Sequence, residues 1–451
     1  MITSYETLFR RVLFPLYESA LRRRKTLVYF DEYERNQWLA PEQIALLQWQ
    51  TLKALLDHCY REIPYYQRTW KSLGLTPDDI RSMDDYVRLP VLTKADIRAN
   101  FSDLIAPSQR GQLLYKSTGG STGEPLRFGY TRESNERRNA VMWRGYAWAG
   151  ARMGRRSLYL WGGAVGNPGG MQRLKDRLFH AAFGRRMLDS FRMSESNMAA
   201  YADAIDAWRP EIIVGYVGPL LSLAQWLLEN GRRTHAPQAI LGAAESLFEP
   251  QRDVIQRAFG APAFNTYGCR EFMLIASECE HRDGLHINAD HLLVEAGIAG
   301  ASAPAEILIT DLHNYGMPLI RYANGDLATR SARTCACGRG LPLLERVDGR
   351  RLDAIRTRSG RVLPGEFFPH MFKDVVGLNR FQVVQRSLDH LDISLVRGAG
   401  FDPTGLDYAR TEIRKVLGDA IELRMHFVDE IPTGANGKFR VTLCELPEST
   451  A

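Results

Sequence analysis

The stretch Ser117-Thr118-Gly119-Gly120-Ser121-Thr122-Gly123-Glu124-Pro125 packs three glycines and four hydroxyl side chains into one short turn. Glycine lacks a Cβ, so backbone N–H groups there can approach an anion and adopt positive φ. The hydroxyls add donors for phosphate oxygens. From the residues alone the run is either a phosphate cradle or a plain flexible loop. It is not a Walker A loop, which needs a Lys on the phosphates followed by Ser or Thr. Here Gly123 is followed by Glu124 and Pro125, which disfavours a P-loop kinase or GTPase.

The run resembles the phosphate-binding loop of the adenylate-forming ligases, the family of acyl-CoA synthetases and phenylacetate-CoA ligases, whose loop reads roughly S/T-S-G-T-T-G-K-P. Gly120-Ser121-Thr122-Gly123 matches its centre and Pro125 its end, while Glu124 stands where the family commonly has Lys. Four further segments resemble the same family, in the family's order. Tyr267-Gly268-Cys269-Arg270-Glu271 is similar to Y-G-x-T-E, with Arg270 in place of Thr. Met317-Pro318-Leu319-Ile320-Arg321-Tyr322 with Gly325-Asp326 is similar to P-x-I/L-R-Y-x-x-G-D. Gly349-Arg350 with Asp353 resembles the G-R-x-x-D hinge, and Pro432-Thr433-Gly434 with Gly437-Lys438 resembles the P-x-T-x-x-G-K ending.

The resemblance implies a set of roles. Thr118, Gly119, Gly120, Ser121, Thr122 and Gly123 hold phosphate. Tyr267 and Gly268 lie near the adenine with Gly242, Ala243 and Glu245. Glu271 holds Mg²⁺, Asp326 accepts from the ribose hydroxyls, Arg350 belongs to the hinge, and Lys438 serves adenylation. It also implies an architecture: an α/β fold with a large N-terminal domain of mostly parallel sheets and helices, and a small α+β C-terminal domain. The boundaries are 1–349, a hinge at 350–353, and 354–451.

A chain of 451 residues can bury one large core plus a smaller one. Its 45% hydrophobic and 24% charged composition is that of an ordinary globular protein. No apolar run is long enough to span a bilayer, and no signal peptide is recognisable. The net charge of +6 comes from scattered Arg, so no nucleic-acid partner is expected. Cysteines at 59, 269, 279, 335, 337 and 444 form no small-scaffold disulfide framework. The expectation is a cytoplasmic protein.

From Tyr5 to about Arg24, Leu8, Phe9, Val12, Leu13, Leu16, Tyr17 and Leu21 recur at helical spacing, flanked by Arg10, Arg11 and Arg22 to Lys25. Such a helix either lies on an anionic membrane or packs on the main domain with its basic face exposed. A second helix starts at Pro41, through Ile44, Leu46, Leu47, Leu52 and Leu55. Between about Leu158 and Ile309 short apolar strands alternate with helices, which implies crossover units and a largely parallel sheet. Gly242 to Glu245 just past a strand end is either a ligand position or a simple turn. Beyond Leu352, strands near 381–385, 392–396 and 421–427 and a helix near 406–417 suggest a compact α+β unit.

Cys335-Ala336-Cys337-Gly338-Arg339 can grip one soft cation, and Cys279, His281 and His286 lie earlier in the chain. Structural zinc takes four N or S ligands tetrahedrally. Cys279, Cys335 and Cys337 with one histidine complete such a set, His286 being preferred to His281, which lies two residues from Cys279. The bland reading is three reduced thiols and two surface histidines. Cysteines in these segments also resemble the phenylacetate-CoA ligase and capsule-associated (CapK-like) branch of the family.

The function that follows is ATP- and Mg²⁺-dependent activation of a small carboxylic acid through an acyl-adenylate. CoA is the acceptor the resemblance favours. Alternatives are an amide- or ester-forming ligase of surface-polysaccharide assembly, and a nucleotide- and zinc-binding protein without turnover. The acid and the oligomeric state are not legible.

Overall fold

The computed structural model describes residues 4–118, 126–162, 170–245, 247–300, 305–347, 355–356, 362–363, 367–372, 375–398, 400–418, 421–431 and 441–446. Helix Pro41–Glu62 opens the helical layer, with proline at its first turn, where a missing N–H costs nothing. Its inward residues Ile44, Leu52, Leu55, Leu56 and Cys59 are fully or almost fully buried. Hairpin β1 (Leu114–Ser117) and β2 (Arg127–Tyr130) then brackets the glycine-rich loop, whose residues 119–125 lie outside the described ones.

Eleven strands build the main sheet. They are β3 (Ser157–Trp161), β4 (Arg185–Asp189), β5 (Ile212–Tyr216), β6 (Ala239–Ala243), β7 (Ala263–Cys269), β8 (Met273–Glu278), β9 (Leu285–Ile287), β10 (Leu292–Glu295), β11 (Ala305–Asp311), β12 (Tyr322–Arg330) and β13 (Leu343–Val347). The spatial order is β10-β11-β12-β13-β9-β8-β7-β6-β5-β3-β4. Pairings among β3 to β7 are parallel, and every pairing from β7 through β8 to β10 is antiparallel. The strand–helix alternation therefore runs to β7. Beyond it, among the described residues, no helix intervenes between the strands, and a parallel pairing needs such a crossover. β5 and β6 are buried at every position, as strands covered on both faces must be. Helices Met198–Trp208, Val217–Glu229 and Glu249–Phe259 cover one face, and Tyr146 and Ala149 at the end of helix Arg132–Trp148 pack on the other.

The small unit carries β14 (Ile355–Arg356), β15 (Val362–Leu363), β16 (Leu378–Ser387), β17 (His390–Arg397), helix Thr404–Leu417, β18 (Glu422–Phe427) and β19 (Thr442–Cys444). Its four-stranded order is β18-β17-β16-β19. The β–β–α–β reading matches the centre of this unit, with β14, β15 and β19 added. Its core also takes in Phe191 and Tyr216 of the large unit, and the Phe191 and Phe367 rings lie 5.1 Å apart. Among the described residues no helix is long and apolar enough to cross a membrane.

The N-terminal segment differs from its sequence reading. Residues 4–21 are helical, largely in the wider π form, and the buried positions are Glu6, Phe9, Phe14 and Glu18. Leu8, Val12, Leu13, Leu16 and Leu21 point to solvent. A π-helix carries more residues per turn than the 3.6 used to read the sequence, and ion pairs of the buried Glu6 and Glu18 carboxylates fix the inward face.

Candidate nucleotide site and thiol cluster

The motif residues converge where β6 and β7 end, at the C-terminal edge of the parallel strands, where open α/β sheets bind ligands. The Thr266 hydroxyl donates to the Gly242 carbonyl at 2.8 Å, which ties the two strand ends together. Tyr267 is buried at the end of β7, and its phenol donates to Asp326 Oδ2 at 2.9 Å. Asn324 Nδ2 donates to the Tyr267 phenol at 2.7 Å and to Asp326 Oδ2 at 2.8 Å. The Asp326 N–H donates back to Asn324 Oδ1 at 3.0 Å. Burial, and then the Asp326 carboxylate, push the Tyr267 phenol well above its ordinary pKa, so it acts as a donor.

Gly268 is required by space. A Cβ there would sit 2.0 Å from the Met273 carbonyl oxygen. The tight turn delivers Arg270 to the surface and Glu271 into the interior. The Glu271 Oε1 accepts from the Tyr322 phenol at 3.0 Å. Arg321 of the same segment has a structural role. It pairs with Glu295 at 2.9 Å and donates to the Val87 and Leu89 carbonyls.

The glycine-rich loop is pinned at its mouth. The Thr118 N–H donates to the Leu126 carbonyl at 2.8 Å, and the Thr118 hydroxyl accepts from the Leu126 N–H at 2.9 Å. Lys116, next to this mouth on β1, lies 5.2 Å from the Tyr130 ring. Burial, then Arg138, then Arg270 lower its pKa. Among the described residues no carboxylate pairs with Lys116 or Arg270. Glu245 Oε2 accepts from the Gly218 N–H at 2.6 Å, at the start of helix Val217–Glu229. It thereby meets the positive end of that helix. Ala243 closes β6 beside these groups. Gly119, Gly120, Ser121, Thr122 and Gly123, with Arg350, Asp353 and Lys438, lie outside the described residues.

Asn324, Tyr322 and Lys116 were not singled out as site residues. Asn324 and Tyr322 fall inside the P-x-I/L-R-Y-x-x-G-D segment, so the signal was present. Lys116 carried none beyond its place two residues before Thr118.

The thiols form a second centre. β8 ends at Cys279, and the register Ser277↔His286 brings β9 back beside it. Leu343↔His286 pairing brings in β13, preceded by the turn carrying Cys335 and Cys337. The ligand atoms of Cys279, His286, Cys335 and Cys337 all lie within 4.8 Å of one another. Cys279 Sγ is 3.6 Å from Cys335 Sγ, and Cys337 Sγ is 3.3 Å from His286 Nε2. A zinc tetrahedron of thiolates has edges of about 3.8 Å. His286 Nδ1 meets the Leu341 carbonyl at 3.3 Å, leaving Nε2 to face the thiols. Burial holds His286 down at about 4, so the imidazole is neutral. Burial pushes Cys279 up to about 12. At Cys337 burial also acts to raise the pKa, but Arg339 outweighs it and holds the thiol below its ordinary value. Backbone N–H groups of His281 and Arg339 point at Cys279 and Cys337, at 3.4 and 3.5 Å. His281 contributes its backbone here, and its ring is not part of the cluster.

Comparison with known proteins extends the likeness over most of the chain. Residues 355–445 match the family described as the CapK C-terminal domain. The chain is 28% identical over 429 residues to the phenylacetate-coenzyme A ligase of Thermus thermophilus, covering 90% of this chain and 91% of that one. It is 23% identical over 427 residues to protein CapK of Staphylococcus aureus, covering 94% of each. Among solved structures, 2-hydroxyisobutyryl-CoA ligase with 2-HIB-AMP and CoA superposes with a TM-score of 0.62 at 19% identity. That match covers 91% of this chain and 92% of the other, and it shows the shared fold. The chain is therefore similar over most of its length to the phenylacetate-CoA ligases and to CapK, and it has the fold of a CoA ligase.

Proposed function

We propose that this protein activates a small carboxylic acid with ATP, releasing pyrophosphate, and transfers the acyl group from the acyl-adenylate to CoA. The carrying observation is the meeting of Tyr267, Asn324 and Asp326 beside Glu271 at the C-terminal edge of β7, within a likeness to phenylacetate-CoA ligase that spans the chain. Asp326 and Asn324 offer an acceptor and a donor for ribose hydroxyls. Tyr267 lies against the adenine with Gly242 and Ala243. The Thr118–Gly123 loop wraps the phosphates. Charge that develops on the transferring phosphate and the leaving pyrophosphate must be stabilised where it forms. Lys116 and Arg270 stand ready for this beside the loop, and Lys438 joins them during adenylation. Glu271 is the carboxylate for Mg²⁺, which offsets phosphate charge when bound.

Residues 1–349 form the adenylating body and 354–451 the mobile unit, turning about 350–353 between the two half-reactions. Cys279, His286, Cys335 and Cys337 hold one structural zinc. The set is closed by four protein donors, which leaves no open position for catalysis.

The test is acid-dependent ATP–pyrophosphate exchange across aryl, fatty and amino acids, followed by a thioester assay with CoA. Exchange with an acid of the right class and a CoA thioester product are expected. Absence of exchange with every acid would return the protein to a nucleotide and zinc binder. Lys438→Ala should abolish exchange yet spare use of a preformed acyl-adenylate.

A second reading keeps the first half-reaction and changes the acceptor to an amine or hydroxyl of surface-polysaccharide assembly. The likeness of residues 355–445 to the CapK C-terminal domain favours it. Exchange without CoA thioester formation is its signature.

A further inference from the structure

Helix 4–21 is turned inside out. Its carboxylates, Glu6 and Glu18, are buried, and its leucines are exposed. Glu6 pairs with Arg155 at 3.2 Å. Glu18 pairs with Arg24 at 3.0 Å and accepts from the Thr26 hydroxyl at 2.9 Å. Phe9 and Phe14 pack on the Phe183 ring at 5.0 and 5.5 Å. This inward face fixes what the outward face shows. Leu8, Val12, Leu13, Leu16 and Leu21 lie open, Leu16 at 61% and Leu21 at 72% exposure.

A second helix, Gly170–Ala182, lies beside the first. The Tyr5 phenol donates to the Ala182 carbonyl at 2.6 Å, and the Tyr17 and Phe179 rings are 6.4 Å apart. Met171, Leu174 and Leu178 of this helix fall at the i, i+3, i+7 spacing of one face, and all three are exposed. A patch built from two helices exceeds the scattered apolar residues of an ordinary surface.

Charge selects the occupant. Arg10, Arg11, Arg22, Arg23 and Lys25 are exposed around the first helix, and Lys175 and Arg177 on the second. The only acids among residues 1–25 are the two turned inwards. A second copy of this face would oppose cation to cation. An apolar strip rimmed by cations instead matches the headgroup and acyl boundary of an anionic bilayer. We propose that the paired helices 4–21 and Gly170–Ala182 dock this protein on an anionic lipid surface, apolar side chains in the interface and arginines on the phosphates.

The experiment uses the full chain with vesicles of phosphatidylcholine alone and of phosphatidylcholine mixed with phosphatidylglycerol. Co-sedimentation with the mixed vesicles is expected, weakened by added salt, with little binding to the neutral ones. Leu16→Glu with Leu174→Glu should lower binding by about tenfold or more, because both remove apolar contact and add repulsion. These positions are exposed, so the melting temperature should hold, and Arg11→Glu with Lys175→Glu gives an independent readout through charge alone. Failure to bind mixed vesicles overturns the proposal. So does equal binding to neutral vesicles, unchanged binding by both double variants, or a solution dimer that the leucine variants dissolve.

Discussion

The Tyr267 phenol and the Asp326 carboxylate, 59 positions apart in the chain, share a hydrogen bond of 2.9 Å, and Asn324 donates to both. Asp326 is thereby held in one orientation before any nucleotide arrives. Tyr267→Phe removes one donor and leaves Asn324 in place, so KM for ATP should rise about three- to tenfold, the worth of one hydrogen bond. Asp326→Ala removes the acceptor and should cost about 100-fold in kcat/KM. Isothermal titration with ATP and initial rates check both. Equal effects would contradict the assigned division of labour.

Gly268 admits no side chain, because the Met273 carbonyl occupies the Cβ position. Gly268→Ala should shift the turn that carries Arg270 and Glu271. We expect at least about 2 kcal/mol of destabilisation from the forced backbone movement and adenylation lowered further than that loss explains. Chemical denaturation and pyrophosphate exchange measure the two separately. A variant with native stability and native exchange would remove the steric argument.

The four-donor cluster predicts one zinc per chain in protein purified without added metal. Cys335→Ser with Cys337→Ser should release it and lower the melting temperature, since metal binding adds to folding free energy. His281→Ala should keep the metal and His286→Ala should lose it, because His286 Nε2 faces Cys337 at 3.3 Å. Metal analysis of the four proteins decides the question.

Asp311 is buried against Arg138 at 2.7 Å. Burial acts to raise its pKa, but Arg138 outweighs burial and brings it to about 2. A carboxyl depressed in the folded state gives stability that is present above its unfolded pKa of about 3.9 and is lost as pH falls towards 2. That contribution is on the order of 2 kcal/mol. Asp311→Asn should be destabilised by about 3 kcal/mol at neutral pH, because Arg138 is left buried and unpaired. The gap between the two proteins should narrow between pH about 4 and about 2. A gap constant across that range would show that the pair does not govern acid stability.

The sequence by itself carried the resemblance to the adenylate-forming ligases, the order of its motifs and the β–β–α–β centre of the small unit. Those signals are local: a glycine-rich run, a tyrosine followed by glycine, and alternation from Ile421 to Phe427. It also supplied the thiols, since Cys335 and Cys337 stand two residues apart. Spacing already leaned to His286 over His281, and the antiparallel register Ser277↔His286, a pairing of backbones that residue spacing does not encode, is what seats it beside the thiols. The Tyr267–Asn324–Asp326 network likewise needed β7 and β12 brought together through the intervening sheet. Helix 4–21 shows the sharpest division. Its apolar residues were legible, but which way they face was decided by Arg155 and Arg24, which draw Glu6 and Glu18 inwards. A buried carboxylate must be paired, and its partner for Glu6 lies 149 residues further along the chain.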